Sequence, residues 1–372
     1  MADIVIPADL LPTDGRFGCG PSKIRGAQLE SLVTAGATIL GTSHRQAPVK
    51  NLVGSVREGL ATLFDIPDGY EVVLGNGGST AFWDAAAFGL VERRAENLSF
   101  GEFGSKFAKA VAAPWLEAPH VVAAPGGSRS ELEIVEGVDV YAYPHNETST
   151  GVMAPVVRAA GDPGALTVVD ATSAAGGVQF DTGAADVYYF APQKNFASDG
   201  GLWLALFSPA AIERVERIAA SDRYIPEFLS LKNAVDNSRL DQTLNTPAIT
   251  TLLLLDDQIR WINGSGGLAW ADIRTKESSN ALYEWAESVD YATPFVADPA
   301  HRSQVVATID LDDAIDAKAV SAALRQNGIV DTEPYRKLGR NQLRIATFTA
   351  IDPDDVRQLI KAIDYTVAAL RG

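Results

Sequence analysis

The sequence of 372 residues contains a single cysteine, Cys19. One cysteine excludes an intramolecular disulfide framework and any zinc site built from several thiolates, and it fits a reducing compartment. Apolar runs such as 251–255 (TLLLL) are far shorter than the roughly 20 residues that a membrane-spanning helix requires. The first 20 residues mix acids and prolines, whereas a signal peptide has a basic start and an apolar block. We therefore expect a cytoplasmic protein that does not enter a membrane.

Basic side chains are also scarce. Lysine and arginine number 31 against 47 aspartates and glutamates, which gives a formal net charge of -16. Broad nucleic-acid binding needs a positive surface that displaces counterions from phosphates, so we expect no nucleic-acid partner. A small anionic ligand remains compatible with this charge, because a few arginines in a concave site create a local positive field.

Apolar runs of strand length alternate with helix-like stretches between about residues 50 and 260. The runs are 70–74 (YEVVL), 167–169 (TVV), 187–190 (VYYF) and 202–207 (LWLALF), and 79–91 has a helical pattern. Alternation of this kind predicts an α/β fold with a mainly parallel sheet covered by helices. In such folds ligands gather at the carboxyl ends of the strands.

The pattern changes near the segment 264–267 (GSGG), which indicates a linker or a helix cap. A helix follows it, and then come a strand (304–309), a helix (317–326), a strand (342–347) and a final helix from Pro353. These elements predict a second, smaller α/β domain. We therefore divide the chain into an N-terminal arm (1–20), a large domain (21–263) and a small C-terminal domain (264–372).

A glycine-rich turn between a strand and a helix is the first candidate for a functional motif. In the segment 74–84 (LGNGGSTAFWD) the glycines allow close approach of the backbone to an anion. The amides and hydroxyls of Ser79 and Thr80 would donate to that anion with help from the helix dipole. The spacing matches neither the Walker A motif nor the dinucleotide fingerprint. Taken alone, the segment is better explained as a turn followed by a capping serine.

Asp170 and Lys194 each follow a strand-like run. Asp170 comes directly after TVV, and Lys194 lies just past the aromatic run 187–190 in a segment with little other charge. A desolvated lysine has a lowered pKa and is a better nucleophile. Each residue alone also fits an ordinary role, as a turn former or a solvated loop lysine.

These three features together match the chemical demands of pyridoxal phosphate. Its phosphate needs amides at a helix N-terminus, its pyridine nitrogen needs a carboxylate, and its aldehyde needs a lysine. A flat apolar face for the ring completes the set.

Several segments carry a resemblance to a known family. They are HNETSTG (145–151), VVDATSA (168–174), FAPQKNFASDGG (190–201), FGCGPSKI (17–24), TSHRQAPV (42–49), NTPAI (245–249) and QLRIATF (342–348). Lys194 also follows Asp170 by 24 residues. Together these features resemble the class V, fold-type I aminotransferases and, within them, the phosphoserine aminotransferase family. The resemblance covers nearly the whole chain. It implies a large domain with a mainly parallel seven-stranded sheet and a smaller C-terminal α/β domain.

The resemblance also implies how the cofactor is held. Lys194 would bind pyridoxal phosphate covalently through its amine, and Asp170 would pair with the pyridine nitrogen. The remaining cofactor-binding residues it implies are Gln193 and Thr148 at the ring oxygen or phosphate, Ser79 and Thr80 at the phosphate, and Asn245 and Thr246 contributed by a second subunit. Phe103 occupies the position where the family commonly has a stacking tryptophan, so the indole N–H is absent. No metal is implied, and the active unit would be a homodimer.

Substrate binding in the family rests on basic residues. His44 and Arg45 match its anion-binding pair, and Arg344 matches the arginine that binds the α-carboxylate. The histidine-arginine pair that many members carry before that arginine is missing from 335–344 (YRKLGRNQLR), where Arg336, with Lys337 and Arg340, would supply charge. The implied reaction transfers an amino group from L-glutamate to 3-phosphohydroxypyruvate in serine biosynthesis, giving O-phospho-L-serine and 2-oxoglutarate. A second activity, on the phosphohydroxythreonine precursor of pyridoxine, is left open.

Three alternatives are compatible with parts of this pattern. Another class V enzyme, such as an alanine- or serine-glyoxylate aminotransferase, would share Lys194 and Asp170 but need less positive charge for its substrate. A cysteine desulfurase needs a nucleophilic cysteine on a mobile loop, whereas Cys19 lies in the N-terminal segment GCGPS. A non-catalytic relative of the fold would have no chemical need for Lys194 and Asp170.

Overall fold

The computed structural model describes residues 4–372. Its helices are α1 (Gly26–Ile39), α2 (Ala47–Phe64), α3 (Gly78–Gly89), α4 (Glu102–Ala110), α5 (Pro209–Ala219), α6 (Leu231–Arg239), α7 (Ile249–Ser265), α8 (Gly267–Ser288), α9 (Ala317–Gln326) and α10 (Pro353–Arg371). Its strands are β1 (Glu71–Asn76), β2 (Ala95–Ser99), β3 (His120–Ala123), β4 (Val140–Pro144), β5 (Asn146–Glu147), β6 (Val152–Met153), β7 (Leu166–Asp170), β8 (Val187–Phe190), β9 (Leu202–Phe207), β10 (Ala292–Pro294), β11 (Val306–Leu311) and β12 (Gln342–Ala346).

A seven-stranded sheet forms the centre of the large domain, in the order β1-β9-β8-β7-β4-β2-β3. Only β9 runs against its neighbours, and the other adjacent pairs are parallel. Every residue of β8 and β9 is buried, because helices cover both faces of the sheet. This burial explains why both strands read as continuous apolar runs in the sequence.

Helices α1 and α2 were not predicted from the sequence. Helix α2 buries a stripe of apolar residues at helical spacing, which includes Val49, Val53, Val56 and Leu60. This stripe packs in the same cluster as the sheet strands and α7. The segment 47–64 is therefore a helix that belongs to the core of the large domain.

The C-terminal elements form a three-stranded antiparallel sheet, β10-β11-β12, with α8, α9 and α10 packed against it. The N-terminal residues Ile6 and Phe17 are buried in this same cluster, and the amide of Ala346 donates to the carbonyl of Phe17 at 3.0 Å. The predicted GSGG segment lies where α7 ends and α8 begins, around Gly266 with φ 124°. The boundaries at 20/21 and 263/264 stay a prediction.

The strand predicted at 304–309 begins and ends two residues later, as β11. The hydroxyl of Ser303 accepts hydrogen bonds from the amides of Val305 and Val306, and this local turn delays the strand.

None of the helices between Ile4 and Gly372 combines the length and apolar character that a bilayer crossing requires.

Candidate active site

A cavity of about 430 Å³ opens at the carboxyl ends of β1, β7 and β8, a size typical of small-molecule sites. Strand β7 ends at Asp170, Lys194 follows β8, and α3 starts two residues after β1. The sheet thus brings together residues that are far apart in the sequence. Of the residues singled out from the sequence, those lining this cavity are Ser79, Thr80, Phe103, Thr148, Asp170, Gln193, Lys194 and Arg344.

Lys194 points its amine into the centre of this arrangement. Its Nζ donates to Thr148 Oγ1 at 2.7 Å and lies 5.1 Å from the centroid of the Phe103 ring. The side chain is buried, and burial lowers the pKa of Lys194 to about 8, although the charge of Asp170 opposes this effect. An amine with this pKa is neutral, and hence nucleophilic, in about one molecule in ten at pH 7 and in about half of the molecules at pH 8.

Asp170 is buried at the end of β7. Its Oδ1 accepts hydrogen bonds from the amide and the hydroxyl of Thr172, at 2.9 and 2.6 Å. The Thr172 hydroxyl also lies 2.7 Å from the hydroxyl of Ser79, so it connects the carboxylate to the first turn of α3. A carboxylate held in this way is suited to pair with a protonated ring nitrogen.

The glycine-rich turn enters α3 through two residues with left-handed backbone, Gly77 (φ 110°) and Gly78 (φ 76°). A Cβ at Gly77 would lie 2.7 Å from the Cβ of Ala81, so a side chain there is excluded sterically as well. The turn brings the first amides of α3 and the hydroxyls of Ser79 and Thr80 to the cavity wall. This arrangement suits a phosphate.

Arg344 and Gln193 bring unpaired polar atoms to the cavity. Arg344 donates from Nη1 to the carbonyl of Thr148 at 3.2 Å. Among the described residues, Arg344 Nε and Gln193 Oε1 are buried without a hydrogen-bond partner. Because buried polar atoms are normally paired, these two indicate that a polar ligand completes the site.

Sequence reasoning missed several cavity residues, among them Trp83, Tyr335 and Cys19. The Tyr335 ring lies 6.2 Å from that of Phe103 and 5.3 Å from the guanidinium carbon of Arg344. No local pattern predicts this contact, since Tyr335 arrives from the C-terminal elements. Trp83 was within the quoted segment 74–84, where its helical spacing from Ser79 was a usable signal.

Cys19 also lies in the cavity wall, with its Sγ 3.8 Å from the carbonyl of Arg344. Burial raises the pKa of this thiol, although the charges of Arg344 and Lys194 oppose the effect. A buried, protonated thiol is a poor nucleophile, which argues against desulfurase chemistry.

Five predicted residues do not line this cavity: Arg336, described below, and four residues that form a cluster of their own. Thr246 Oγ1 is 3.1 Å from His44 Nδ1, and Arg45 Nη2 donates to the carbonyl of Leu244 at 3.0 Å. Asn76 Nδ2 donates to the carbonyl of Asn245 at 3.2 Å. His44, Arg45, Asn245 and Thr246 therefore do not contact the cavity of their own chain. We call them the outer cluster.

The basic run before Arg344 is largely neutralised by acids. Lys337 pairs with Glu102, and Arg340 pairs with Asp310 at 2.5 Å. Arg336 is exposed and forms no ion pair within residues 4–372, so it is the basic residue of this run that is free to bind an anion.

In the described part of the chain, no group of three or more His, Cys, Asp or Glu side chains is placed to hold a metal ion.

Comparison with known proteins identifies the family. The model of the class V aminotransferases matches residues 122–332. A phosphoserine aminotransferase of Rhodococcus opacus is 63% identical over 367 residues, which cover 98% of each chain. One of a Nocardioides species is 62% identical over 365 residues, or 97% of this chain and 98% of the other. The chain belongs to the class V aminotransferase family.

The predicted fold is confirmed for this class V aminotransferase by solved structures. A phosphoserine aminotransferase from Cytophaga hutchinsonii superposes with a TM-score of 0.87 at 22% identity, over 95% of this chain and 99% of the other. The cofactor of the family is pyridoxal phosphate, and the cavity fits it. It offers a buried amine, a carboxylate, an aromatic face and a helix N-terminus with two hydroxyls.

The aminotransferase without cofactor should be destabilised by its own lysine. Lys194 has a pKa of about 8 in the folded protein, against an ordinary lysine value of 10.5, so keeping its ammonium form buried costs about 3 kcal/mol below pH 8. Between these pKa values the unfolded chain binds a proton that the folded chain does not, so this cost falls as the pH rises.

We therefore expect Lys194→Met to raise the free energy of unfolding of the apoprotein at pH 7, by up to about 3 kcal/mol. The gain should shrink between pH 8 and 10.5. Urea unfolding at several pH values and one protein concentration measures it. Lys361→Met, at an exposed position on α10, is the matched control and should show no such trend. A gain for Lys194→Met that is the same at pH 7 and pH 10 would contradict the desolvated amine.

Proposed function

We propose that this enzyme transfers the amino group of L-glutamate to 3-phosphohydroxypyruvate, giving O-phospho-L-serine and 2-oxoglutarate in a ping-pong cycle of serine biosynthesis. The observation that carries the proposal is the buried amine of Lys194 in one cavity with Asp170 and Arg344. The phosphoserine aminotransferases that are 62 to 63% identical to this chain support the choice of substrates.

Lys194 performs the proton transfers in this proposal. Bound pyridoxal phosphate supplies an electron sink for the bond broken at the substrate Cα. The freed Nζ of Lys194 accepts the Cα proton and later returns a proton, a role for which a pKa of about 8 is well matched to cellular pH. Thr148, whose Oγ1 accepts from Nζ at 2.7 Å, fixes the direction of the amine.

The other cavity residues bind and orient. Asp170 holds the proton on the ring nitrogen through its charge, and Phe103 covers one face of the ring. Ser79 and Thr80 bind the cofactor phosphate at the start of α3, and Gln193 offers its unpaired Oε1 to the cofactor. Arg344 binds the substrate α-carboxylate, for which guanidinium offers parallel donors.

In this proposal the outer cluster serves the active site of a second subunit. Asn245, Thr246 and Arg45 are exposed, and none of them lines the cavity of its own chain. In a homodimer with shared sites, Asn245 and Thr246 would reach the cofactor phosphate of the partner. His44 and Arg45, together with Arg336, would bind the substrate phosphate.

A cytoplasmic location and the absence of nucleic-acid and membrane partners are also part of the proposal, as is the division into domains. Activity on phosphohydroxythreonine, in pyridoxine biosynthesis, stays a prediction.

Phosphate recognition gives the proposal a measurable specificity. Two charge-assisted contacts of roughly 1.5–3 kcal/mol each would favour phosphoserine over serine by about two to four orders of magnitude in kcat/KM. Arg45→Ala should remove about one to two of these orders by lowering kcat/KM for phosphoserine and leaving that for serine unchanged.

The test compares kcat/KM for both amino donors in the wild type, in Arg45→Ala and in the control Arg357→Ala, an arginine of α10 that pairs with Glu277. The control should behave as the wild type. If the wild type uses serine or alanine as well as it uses phosphoserine, the phospho-substrate is wrong and a glyoxylate-type aminotransferase is the better account.

A further inference from the structure

A buried carboxylate lies beside the cavity at Glu147, immediately before Thr148, and its side chain is fully inaccessible to solvent. Its Oε2 accepts hydrogen bonds from the amides of Phe103 and Gly104, at 2.9 and 3.0 Å. Its Oε1 accepts from the amide and the hydroxyl of Ser149, at 3.1 and 2.6 Å. One side chain therefore joins the first turn of α4 to the turn that carries Thr148.

The four donors favour the ionised form of Glu147. An ionised carboxylate is purely an acceptor, whereas a protonated carboxyl would present its own O–H toward an N–H or O–H group. Burial nevertheless raises the pKa of Glu147, and the hydrogen bonds from Ser149 and Gly104 offset only part of that rise.

The position of α4 depends on this carboxylate. The first amides of a helix have no partner within the helix, and its N-terminus attracts negative charge. Helix α4 begins at Glu102, whose amide donates to the Ser149 hydroxyl at 3.0 Å, so the Glu147–Ser149 pair satisfies its first turn. The backbone also approaches closely, because a Cβ at Gly101 would lie 2.3 Å from the Cγ of Glu147.

We propose that Glu147 is a positioning residue that sets the Phe103 ring against the cofactor by anchoring the first turn of α4. Two consecutive residues then align the two sides of the site: Thr148 directs the Lys194 amine through its Oγ1, and Glu147 directs the aromatic face through the backbone of Phe103. This inference rests on the proposed function, since it takes Phe103 as the residue that covers the ring.

Glu147→Gln tests the inference with almost no change in shape. The amide places an NH₂ group against two N–H donors or against the two groups of Ser149, so one side of the bridge is lost. In the apoprotein, we expect amide hydrogen exchange in 101–107 to quicken by about tenfold. In the holoenzyme, we expect kcat/KM to fall about tenfold and the visible circular dichroism of the cofactor to change.

A double-mutant cycle with Phe103→Leu shows whether Glu147 acts through Phe103. If it does, Glu147→Gln should lower kcat/KM less than twofold in the Phe103→Leu background. Glu96→Gln is the matched control, because Glu96 is equally buried on β2 and does not line the cavity. Its Oε1 accepts a hydrogen bond from the amide of Glu133. It should change stability without changing the dichroism or kcat/KM.

Ser149→Ala provides a second variant if Glu147→Gln does not fold, and it should change the same quantities by about threefold. Unchanged exchange in 101–107, or effects of Glu147→Gln and Phe103→Leu that multiply independently, would overturn the inference. If the wild-type protein neither bound pyridoxal phosphate nor used phosphoserine, the proposed function would be wrong. The exchange experiment in the apoprotein would still test whether Glu147 anchors α4, because it does not depend on the cofactor.

Discussion

Replacing Lys194 by alanine is expected to lower kcat for amino transfer from glutamate to 3-phosphohydroxypyruvate by about 10⁴-fold, the upper range for loss of general acid–base catalysis. Among the described residues that line the cavity, Lys194 is the only lysine, and its Nζ lies beside the Thr148 hydroxyl and the Phe103 ring. Steady-state rates, with thermal unfolding to show that the variant folds, measure the effect.

Two further variants define what the lysine contributes. Lys194→Arg keeps a positive charge but is not deprotonated in proteins, so it should be as inactive as the alanine variant. Lys361→Ala removes an exposed lysine and should keep full activity. A kcat for Lys194→Ala within tenfold of the wild type would mean that another group moves the proton.

Asp170→Asn should lower kcat by about 10²–10³-fold, as expected when a buried charge pair worth about 3–5 kcal/mol loses one partner. Asparagine keeps an oxygen that can accept from the amide and hydroxyl of Thr172, so the fold should persist. It cannot stabilise a protonated ring nitrogen by charge. Steady-state kcat, together with the absorption spectrum of the bound cofactor, measures the loss.

Asp186→Asn is the matched control for Asp170. Asp186 is also buried, and it accepts from Arg158 at 2.7 Å and from the Ser208 hydroxyl at 2.9 Å. It directly precedes β8, at the amino end of that strand, and is not part of the cavity lining. We expect this substitution to lower stability and leave kcat nearly unchanged. Near-normal kcat in Asp170→Asn would make Asp170 a turn residue only.

The central strands, and the place of Asp170 and Lys194 at one edge of the sheet, could be predicted from the sequence for a physical reason. Strands β8 and β9 are buried on both faces, so burial requires an unbroken apolar run, and 187–190 and 202–207 were predicted with the bounds they have. Asp170 and Lys194 directly follow such runs, and parallel strands end at the same edge of the sheet. Local pattern was therefore sufficient for the place of these residues, whereas their roles toward the cofactor were implied by the resemblance and stay a prediction.

Contacts between distant segments were not predictable in this way. Tyr335 and Cys19 reach the cavity because the N-terminal residues and the C-terminal elements share one core, which no periodicity reveals. The role of Glu147 was likewise hidden, since its hydrogen-bond donors on α4 lie more than 40 residues earlier in the chain. The role of Arg45 toward the substrate and the role of Asn245 toward the cofactor came from the resemblance alone. Both residues belong to the outer cluster, which does not line the cavity of its own chain.

Borohydride reduction of the wild-type holoenzyme, followed by peptide mapping, tests the central claim most directly. Reduction fixes pyridoxal phosphate to the amine that holds it. The buried amine of Lys194, beside Thr148 and Phe103, predicts one labelled residue per chain, at Lys194 within the segment 190–201. Label on any other lysine, or no label on a protein that still transfers amino groups, would contradict this account.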